Sequence, residues 1–157
     1  MSLRDEIKQT RPFSSALEEA LLSIMRTASE MTYSGNEALR PYGLTTTQYN
    51  VLRILRGAGP AGIPCGAIAE RMITRDSDIT RLLDRLTAMH LVERCRMETD
   101  RRVVAVRLTP AGTDLLERLD PVVRQLHQDL LGHLDAATVS ALIAGLERAR
   151  DRAQVSA

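Results

Sequence analysis

Arg81 and Arg85 lie one helical turn apart in the segment ITRLLDRL. The forked donors of arginine fit both phosphate oxygens and the edge of guanine, so this spacing is typical of a nucleic-acid contact. Apolar residues recur at helical spacing on the opposite side, at Ile79, Leu82, Leu83, Leu86 and either Met89 or His90. We therefore predict an amphipathic helix over residues 77–90. Its polar face comprises Ser77, Asp78, Thr80, Arg81, Asp84 and Arg85, and of these Ser77, Thr80, Arg81 and Arg85 are the candidate nucleic-acid contacts.

A second basic group lies in the segment METDRRVVAVRLTP, which carries Asp100, Arg101 and Arg102 between two β-prone runs, 92–96 and 102–108. In the second run Val104, Val106 and Leu108 fall on one face, as in a half-buried strand. By parity Arg102 would share that buried face, so we expect the turn to extend through it. Arginines at a hairpin tip can neutralise phosphates or enter a minor groove. A charged hairpin that resists aggregation is the alternative.

The basic residues are concentrated in this part of the chain. Between Arg71 and Arg107 there are nine arginines and six carboxylates, although the whole chain has a net charge of only +1. A solvated surface with salt bridges to Asp78 and Asp84 explains the helix alone equally well. The helix and hairpin together favour DNA. The scarcity of aromatic residues, 3% of the chain, disfavours a single-strand binder.

The remaining segments predict the elements that position these charges. A long helix over 14–40 begins with a capping box of Ser15 and Glu18, has a candidate interruption at Gly35 and ends at 41–43. A second helix begins with a capping box of Thr45 and Gln48. Ile63 is a candidate short strand, and Pro64 suits the first turn of a third helix.

Further capping signals divide the rest of the chain. Asp76 or Ser77 is expected to be the N-cap of the amphipathic helix, and Thr109 followed by Pro110 opens a later helix. Pro121 is expected to kink or split that helix, and Asp135 opens the last one. The fold class is therefore mainly α with a small antiparallel β-hairpin wing. This is a winged helix-turn-helix at 44–109, with helices at 1–43 and 110–157.

The flanking helices have wide apolar stripes that a winged module of this size cannot cover. A symmetric homodimer is the expected solution, with packing into a helical bundle within one chain as the alternative. The flanking helices then form a dimerisation region.

The segments GLTTTQYNVLRIL, ITRLLDRL and LVERCRMETDRRVVAVRLTPAG resemble successive blocks of the MarR family of bacterial transcriptional regulators. The resemblance covers residues 44–112, and Asp100 and Arg102 match its wing pattern. It implies a homodimer that binds a pseudo-palindromic operator in double-stranded DNA, with Thr80, Arg81, Arg85 and Arg102 facing the DNA. His90 stands where the family more often has glycine, so a different helix cap is expected there.

The resemblance also implies a small anionic or phenolic effector, bound between the dimer helices and the winged module. Tyr33, Tyr42 and Tyr49 are candidates to line that pocket. Cys65 and Cys95 are interpreted as structural cysteines, with a redox-responsive regulator as the alternative. The N-terminal helix has no cysteine, which argues against the peroxide-sensing branch.

Other functional classes have little support in the sequence. We expect no enzyme, since no catalytic triad, glycine-rich phosphate loop or HExxH motif is present. His127 and His133 are six residues apart, which does not suit a metal site, and no cofactor is implied. Neither a signal peptide nor a membrane span is expected. Two cysteines do not make a disulfide framework, so the predicted location is the reducing cytoplasm. The predicted function is a repressor relieved by a ligand. A winged-helix protein-interaction module that does not bind DNA is the alternative.

Overall fold

The computed structural model describes residues 2–75, 78–96 and 102–154. Before the winged module, the chain forms α1 (Leu3–Glu6), α2 (Ala16–Leu39) and a 3₁₀ turn (Arg40–Tyr42). The winged module contains α3 (Thr46–Ala58), β1 (Ile63–Pro64), α4 (Cys65–Arg71), α5 (Ile79–Ala88), β2 (Val92–Arg96) and β3 (Val104–Leu108). It is followed by α6 (Pro110–Leu131) and α7 (Ala136–Gln154). The mainly α class and the antiparallel hairpin are confirmed.

The three strands form an antiparallel sheet in the order β1-β3-β2. Val92 pairs with Leu108 and Arg96 with Val104, so the hairpin is in continuous register, while Ile63 pairs with Val106 on the other side. Gly62 allows this close approach, because it has a φ of +71° and an added Cβ would meet the Val106 carbonyl oxygen at 2.5 Å.

One hydrophobic core joins α3, α4, α5, the sheet and the first half of α6. Fully buried side chains come from each of these helices and include Leu52, Ile68, Leu83, Leu86 and Leu116. The prediction that Val104 shares the buried face of β3 is wrong. Val104 is 48% exposed near the hairpin end, whereas Ala105 is fully buried because β3 is the central strand and helices pack against it.

Helix α2 passes through Gly35 without a break, so the predicted interruption there is wrong. Gly35 instead lies where α2 approaches α3, since an added Cβ would be 2.6 Å from the Thr46 methyl carbon. Next to it, Asn36 Oδ1 accepts hydrogen bonds from Thr46 N at 2.8 Å and Thr46 Oγ1 at 3.1 Å. The glycine therefore permits close packing of two helices that the asparagine then joins.

Most predicted helix starts are confirmed. Thr45 and Gln48 form the capping box of α3, and Thr109 caps α6 with Pro110 in its first turn. Ser15 caps α2, but the reciprocal bonds of Glu18 go to Ser14 rather than to Ser15. Those hydrogen bonds from Ser14 lower the pKa of the Glu18 carboxyl.

Two prolines behave differently from the prediction. Pro64 is the N-cap residue of α4 and the end of β1, because its extended backbone (ψ 153°) still pairs with β3 and precludes a helical conformation. Helix α6 runs as one element through Pro121, so the predicted split is wrong. Leu115, Leu116 and Leu119 are buried just before the proline, and this packing outweighs the lost backbone hydrogen bond.

An ion pair connects the winged module to α6. Arg56 Nη1 at the end of α3 lies 2.9 Å and 3.0 Å from the two carboxylate oxygens of Asp120. Tyr49 is close to this pair, and burial raises the pKa of its hydroxyl, an effect that Asp120 reinforces and Arg56 opposes.

Within the described part of the chain, no individual helix has the length and apolar character needed to cross a membrane. Helices α6 and α7 have the required length and apolar character only when taken together, and the pair is bent by 94°.

Candidate nucleic-acid interface

Helix α5 is anchored by its apolar side. Ile79, Leu83 and Leu86 are buried in the core, which directs the opposite side to solvent. The helix is shorter than the predicted 77–90, and its N-cap is Asp78, whose carboxylate accepts a hydrogen bond from Arg81 N at 3.1 Å. The prediction of Asp76 or Ser77 as N-cap is therefore wrong. Both of those residues lie outside the described residues, and so does the predicted DNA contact of Ser77.

The C-terminal end of α5 turns sharply at His90. This residue has φ 58°, and the His90 and Leu91 backbone N–H groups donate to Thr87 O at 2.9 Å and Leu86 O at 3.0 Å. These bonds form a Schellman motif, which usually has glycine at the position of His90. The expectation of a different cap is wrong: the histidine adopts the left-handed conformation itself. Its carbonyl oxygen also accepts a hydrogen bond from Thr109 Oγ1 at 2.7 Å.

The exposed face of α5 presents Thr80, Arg81, Asp84 and Arg85 side by side. Arg81 lies 3.7 Å from the Asp78 carboxylate, a loose contact between two exposed groups. Arg85 forms no ion pair with any residue that the structure describes. A salt bridge thus neutralises the charge of Arg81 only in part. The Arg85 guanidinium remains available to contact a partner outside the chain.

The hairpin of β2 and β3, which we call the wing, lies next to α5. Asp84 of α5 and Arg94 of β2 form an ion pair with 2.7 Å between Oδ1 and Nη2, and Glu93 and Arg107 pair across the two strands at 2.8 Å. Sequence reasoning missed the role of Arg94, because its partner is ten residues away and faces it only in the folded hairpin.

The tip of the wing is only partly described. Arg102 is exposed and lies in the turn before β3, as the sequence predicts. Asp100 and Arg101 lie outside the described residues, so their roles at the DNA interface stay predictions.

A cavity of about 430 Å³ separates α5 from α2 and the start of α3. It is lined by Thr32, Asn36, Thr45, Thr46, Thr47, Asp78, Arg81, Leu82 and Arg85. The two arginines therefore border both this cavity and the exposed face of α5.

The three tyrosines are not brought together at this cavity. Tyr33 is 65% exposed on α2, while Tyr42 and Tyr49 pack against the core. Cys65 and Cys95 are half-buried free thiols, in the first turn of α4 and in β2. His127 and His133 are exposed, and no group of metal-binding side chains occurs among the described residues.

The architecture defines a class of protein. Helices α3, α4 and α5 followed by an antiparallel hairpin form a winged helix-turn-helix, with α5 in the position of a recognition helix. Comparison with known proteins supports this class. The model of the MarR family matches residues 44–104. The multiple antibiotic resistance protein MarR of Escherichia coli is 36% identical over 108 residues, which cover 68% of this chain and 74% of that protein. The chain belongs to the MarR family of transcriptional regulators.

Solved structures agree with this assignment. A MarR transcription factor from Planctomyces limnophilus is 43% identical, with a TM-score of 0.65 over 87% of this chain and 98% of that one. A mutant of E. coli MarR complexed with operator DNA is 29% identical, with a TM-score of 0.74 and coverage of 95% and 99%. BpsR of Bordetella bronchiseptica, whose DNA binding is regulated by 6-hydroxynicotinic acid, is 25% identical, with a TM-score of 0.76 and coverage of 90% and 99%.

Proposed function

We propose that this protein is a homodimeric repressor that binds a pseudo-palindromic operator and releases it when a small anionic or phenolic molecule binds. It acts by binding rather than by catalysis, in the cytoplasm. The observation that carries the proposal is the exposed face of α5, where Arg85 has no ion-pair partner in the described part of the chain. The DNA bound by the E. coli relative supports the same assignment.

Residues 44–109 form the DNA-binding domain in this proposal. Helix α5 enters the major groove, where Arg85, Arg81 and Thr80 contact base edges and phosphates. Arg102 contacts the phosphate backbone or the adjacent minor groove, and Arg101 is a further candidate phosphate contact. Asp100 acts at the same interface by orienting these arginines or by bracing the wing against an arginine of α5. Ser77 is a further proposed DNA contact. Phosphate contacts supply most of the affinity, which therefore falls as the salt concentration rises.

Residues 1–43 and 110–157 form the dimerisation region. Large apolar side chains on α2 and α7 are exposed in the single chain, and they include Leu17 at 82%, Leu21 at 59% and Ile143 at 53%. A second copy is the partner that fits, because a two-fold dimer covers these faces and places two α5 helices about one turn of DNA apart.

The effector site that we propose is the cavity between α2 and α5. An anion there is attracted by Arg81 and Arg85, so its binding competes for the same side chains that contact DNA. Threonine hydroxyl groups at its wall suit a phenol. Tyr33, Tyr42 and Tyr49 remain candidate ligand contacts outside this cavity.

The test uses genomic fragments selected by the purified protein and fluorescence anisotropy on the selected operator. Arg85→Ala should weaken operator binding by about 1–3 kcal/mol. Arg118→Ala, which removes an exposed arginine from α6, is the matched control and should bind normally. If the wild type, Arg85→Ala and Arg118→Ala bind the operator with equal affinity, or if the affinity does not change with salt concentration, α5 is not the DNA-binding surface.

The effector is tested in the same assay with 6-hydroxynicotinate as the probe. Its addition should lower the operator affinity of the wild-type protein. Asn36→Ala, which changes the cavity wall without removing an arginine, should shift the concentration required. No effect of the probe or of benzoate on the wild type would argue against an anion site.

A further inference from the structure

Helix α5 begins with a carboxylate that lies beside its arginines. Asp78 is the N-cap residue, and its Oδ1 accepts a hydrogen bond from Arg81 N at 3.1 Å. Its Oδ2 lies 3.7 Å from Arg81 Nε, which is too far for a hydrogen bond, and it accepts none from any described residue. The side chain is 61% exposed. One oxygen therefore caps the helix, and the other is available to a donor from outside the chain.

Asp78 lies on the same side of α5 as the candidate DNA contacts Arg81 and Arg85. All three side chains border the cavity between α2 and α5. Arg81 is 73% exposed, so its guanidinium and the Asp78 carboxylate reach solvent next to each other. In a recognition helix, the N-terminal residues are those that approach the base edges. An α5 that reads bases therefore brings this carboxylate into the groove together with the arginines.

The negative charge of Asp78 is not required for capping. Serine and asparagine cap a helix about as well as aspartate, because each offers an acceptor oxygen. Close to DNA, a carboxylate is repelled by the phosphates, and this repulsion lowers the affinity for every sequence. A carboxylate at this position thus disfavours binding unless a hydrogen-bond donor of the DNA meets its open oxygen.

The four bases differ in what they offer such an oxygen in the major groove. Cytosine presents its N4 amino group and no acceptor, whereas thymine presents O4 and guanine presents O6 and N7. Adenine presents an amino group next to the N7 acceptor, which repels a carboxylate. Cytosine is therefore the base that fits the open oxygen of Asp78.

We propose that Asp78 is a specificity-determining residue that selects cytosine at one position of each operator half-site. Asp78 Oδ2 accepts a hydrogen bond from the cytosine N4 amino group, while Oδ1 continues to cap α5. The same carboxylate rejects the other three bases, because each of them places an acceptor against it. The inference rests on the proposed entry of α5 into the major groove, and it adds the base that the first residue of this helix reads.

The test compares the base preferences of four full-length proteins, namely the wild type, Asp78→Asn, Asp78→Ser and Asp135→Asn. Each is used to select bound sequences from a library in which the half-sites of the genomic operator are randomised. Both Asp78 variants retain a capping oxygen, so α5 should still form. Asp135 accepts a hydrogen bond from Thr138 N at 2.7 Å at the start of α7. Its variant is the matched control, because it removes the same charge from a capping aspartate outside the winged module.

We expect the wild type and Asp135→Asn to select cytosine at one position of each half-site. Replacement of that C·G pair should weaken their binding by about 5- to 150-fold. Asp78→Asn should select adenine at this position, because an amide pairs with both N6 and N7 of adenine. Asp78→Ser should lose the preference there. The preferences at all other positions should be the same in the four proteins.

Three results would overturn the proposal while the protein still binds DNA. The Asp78 variants could keep the wild-type preference at every position, which would make Asp78 a helix cap alone. The preferences could change at all positions together, which would indicate a general effect of charge. The wild type could select a base other than cytosine at the affected position. A wild type that binds no DNA would contradict the proposed function itself, and this inference with it.

Discussion

Asp84 and Arg94 join helix α5 to the wing through an ion pair, with 2.7 Å between Oδ1 and Nη2. The two side chains are 59% and 50% exposed, so water screens the pair and it contributes little to the free energy of folding. Its position gives it another role. It neutralises the acidic group on the α5 face that carries Arg81 and Arg85, and it joins the two elements proposed to contact DNA.

Asp84→Asn should therefore change DNA binding more than stability. The substitution frees Arg94 and removes a negative charge near the phosphates, so affinity for non-specific DNA should rise and discrimination of the operator should fall. The free energy of unfolding should change by less than about 1 kcal/mol. The control is Glu93→Gln, which makes the same charge change in the Glu93–Arg107 pair. Selectivity that is equal in the two variants would contradict this role.

His90→Gly should stabilise the protein. The left-handed backbone of His90 costs a residue with a Cβ about 1–2 kcal/mol, and glycine avoids that strain but loses about 0.5–1 kcal/mol through the freedom of the unfolded chain. A net gain of about 0.5–1 kcal/mol should be measurable by urea denaturation. His90→Ala keeps a Cβ and should give no gain. A stabilising alanine would show that the strain lies elsewhere.

Gly112→Ala should destabilise the fold strongly. Gly112 lies in the first turn of α6 beneath the Leu91 carbonyl group, and an added Cβ would overlap the Leu91 oxygen and lie 3.1 Å from its carbon. Because that oxygen also accepts the Thr109 N–H, the backbone cannot move away without loss of a hydrogen bond. We expect a loss of about 2 kcal/mol or more in thermal unfolding. Gly57→Ala, at an exposed position of α3 with open space around it, should instead be neutral or stabilising.

Asp135 should make the stability of α7 depend on pH. The hydrogen bond from Thr138 N to Asp135 Oδ1, 2.7 Å long, lowers the pKa of this carboxyl. A lowered pKa in the folded state means that the contribution is present above the unfolded value of about 3.9 and is lost as the pH falls through the folded value. Asp135→Asn keeps a capping oxygen and should unfold with a weaker pH dependence below that range. If the wild type and the variant unfold over the same acid pH range, Asp135 does not contribute to the pH dependence of stability.

Local features of this fold were predictable because they depend on residues close together in the chain. The capping box of Thr45 and Gln48 and the Thr109–Pro110 start of α6 each involve residues no more than three positions apart. The apolar stripe of α5 likewise follows from helical periodicity, and it identifies which side of the helix faces solvent. The resemblance to the MarR family rests on the same segments.

The structure decided features that depend on residues far apart in sequence. The sequence alone predicts a helix break at Gly35, but Thr46 packs against this glycine within a continuous α2. It also predicts a kink or split at Pro121, but α6 continues through this proline next to the core. Asn50 is an ordinary polar residue in sequence, and only the folded chain brings the Ile73 backbone N–H to its Oδ1, which accepts a hydrogen bond from it.

The sequence by itself thus determined the class of the protein, the N-caps of α3 and α6 and the arginines at its candidate interface, since periodicity and capping act within one or two helical turns. Only the tertiary structure decided which charges are paired and which cavities exist. Arg85 differs from Arg94 because Asp84 faces the wing, and that contact forms only when the chain brings β2 next to α5.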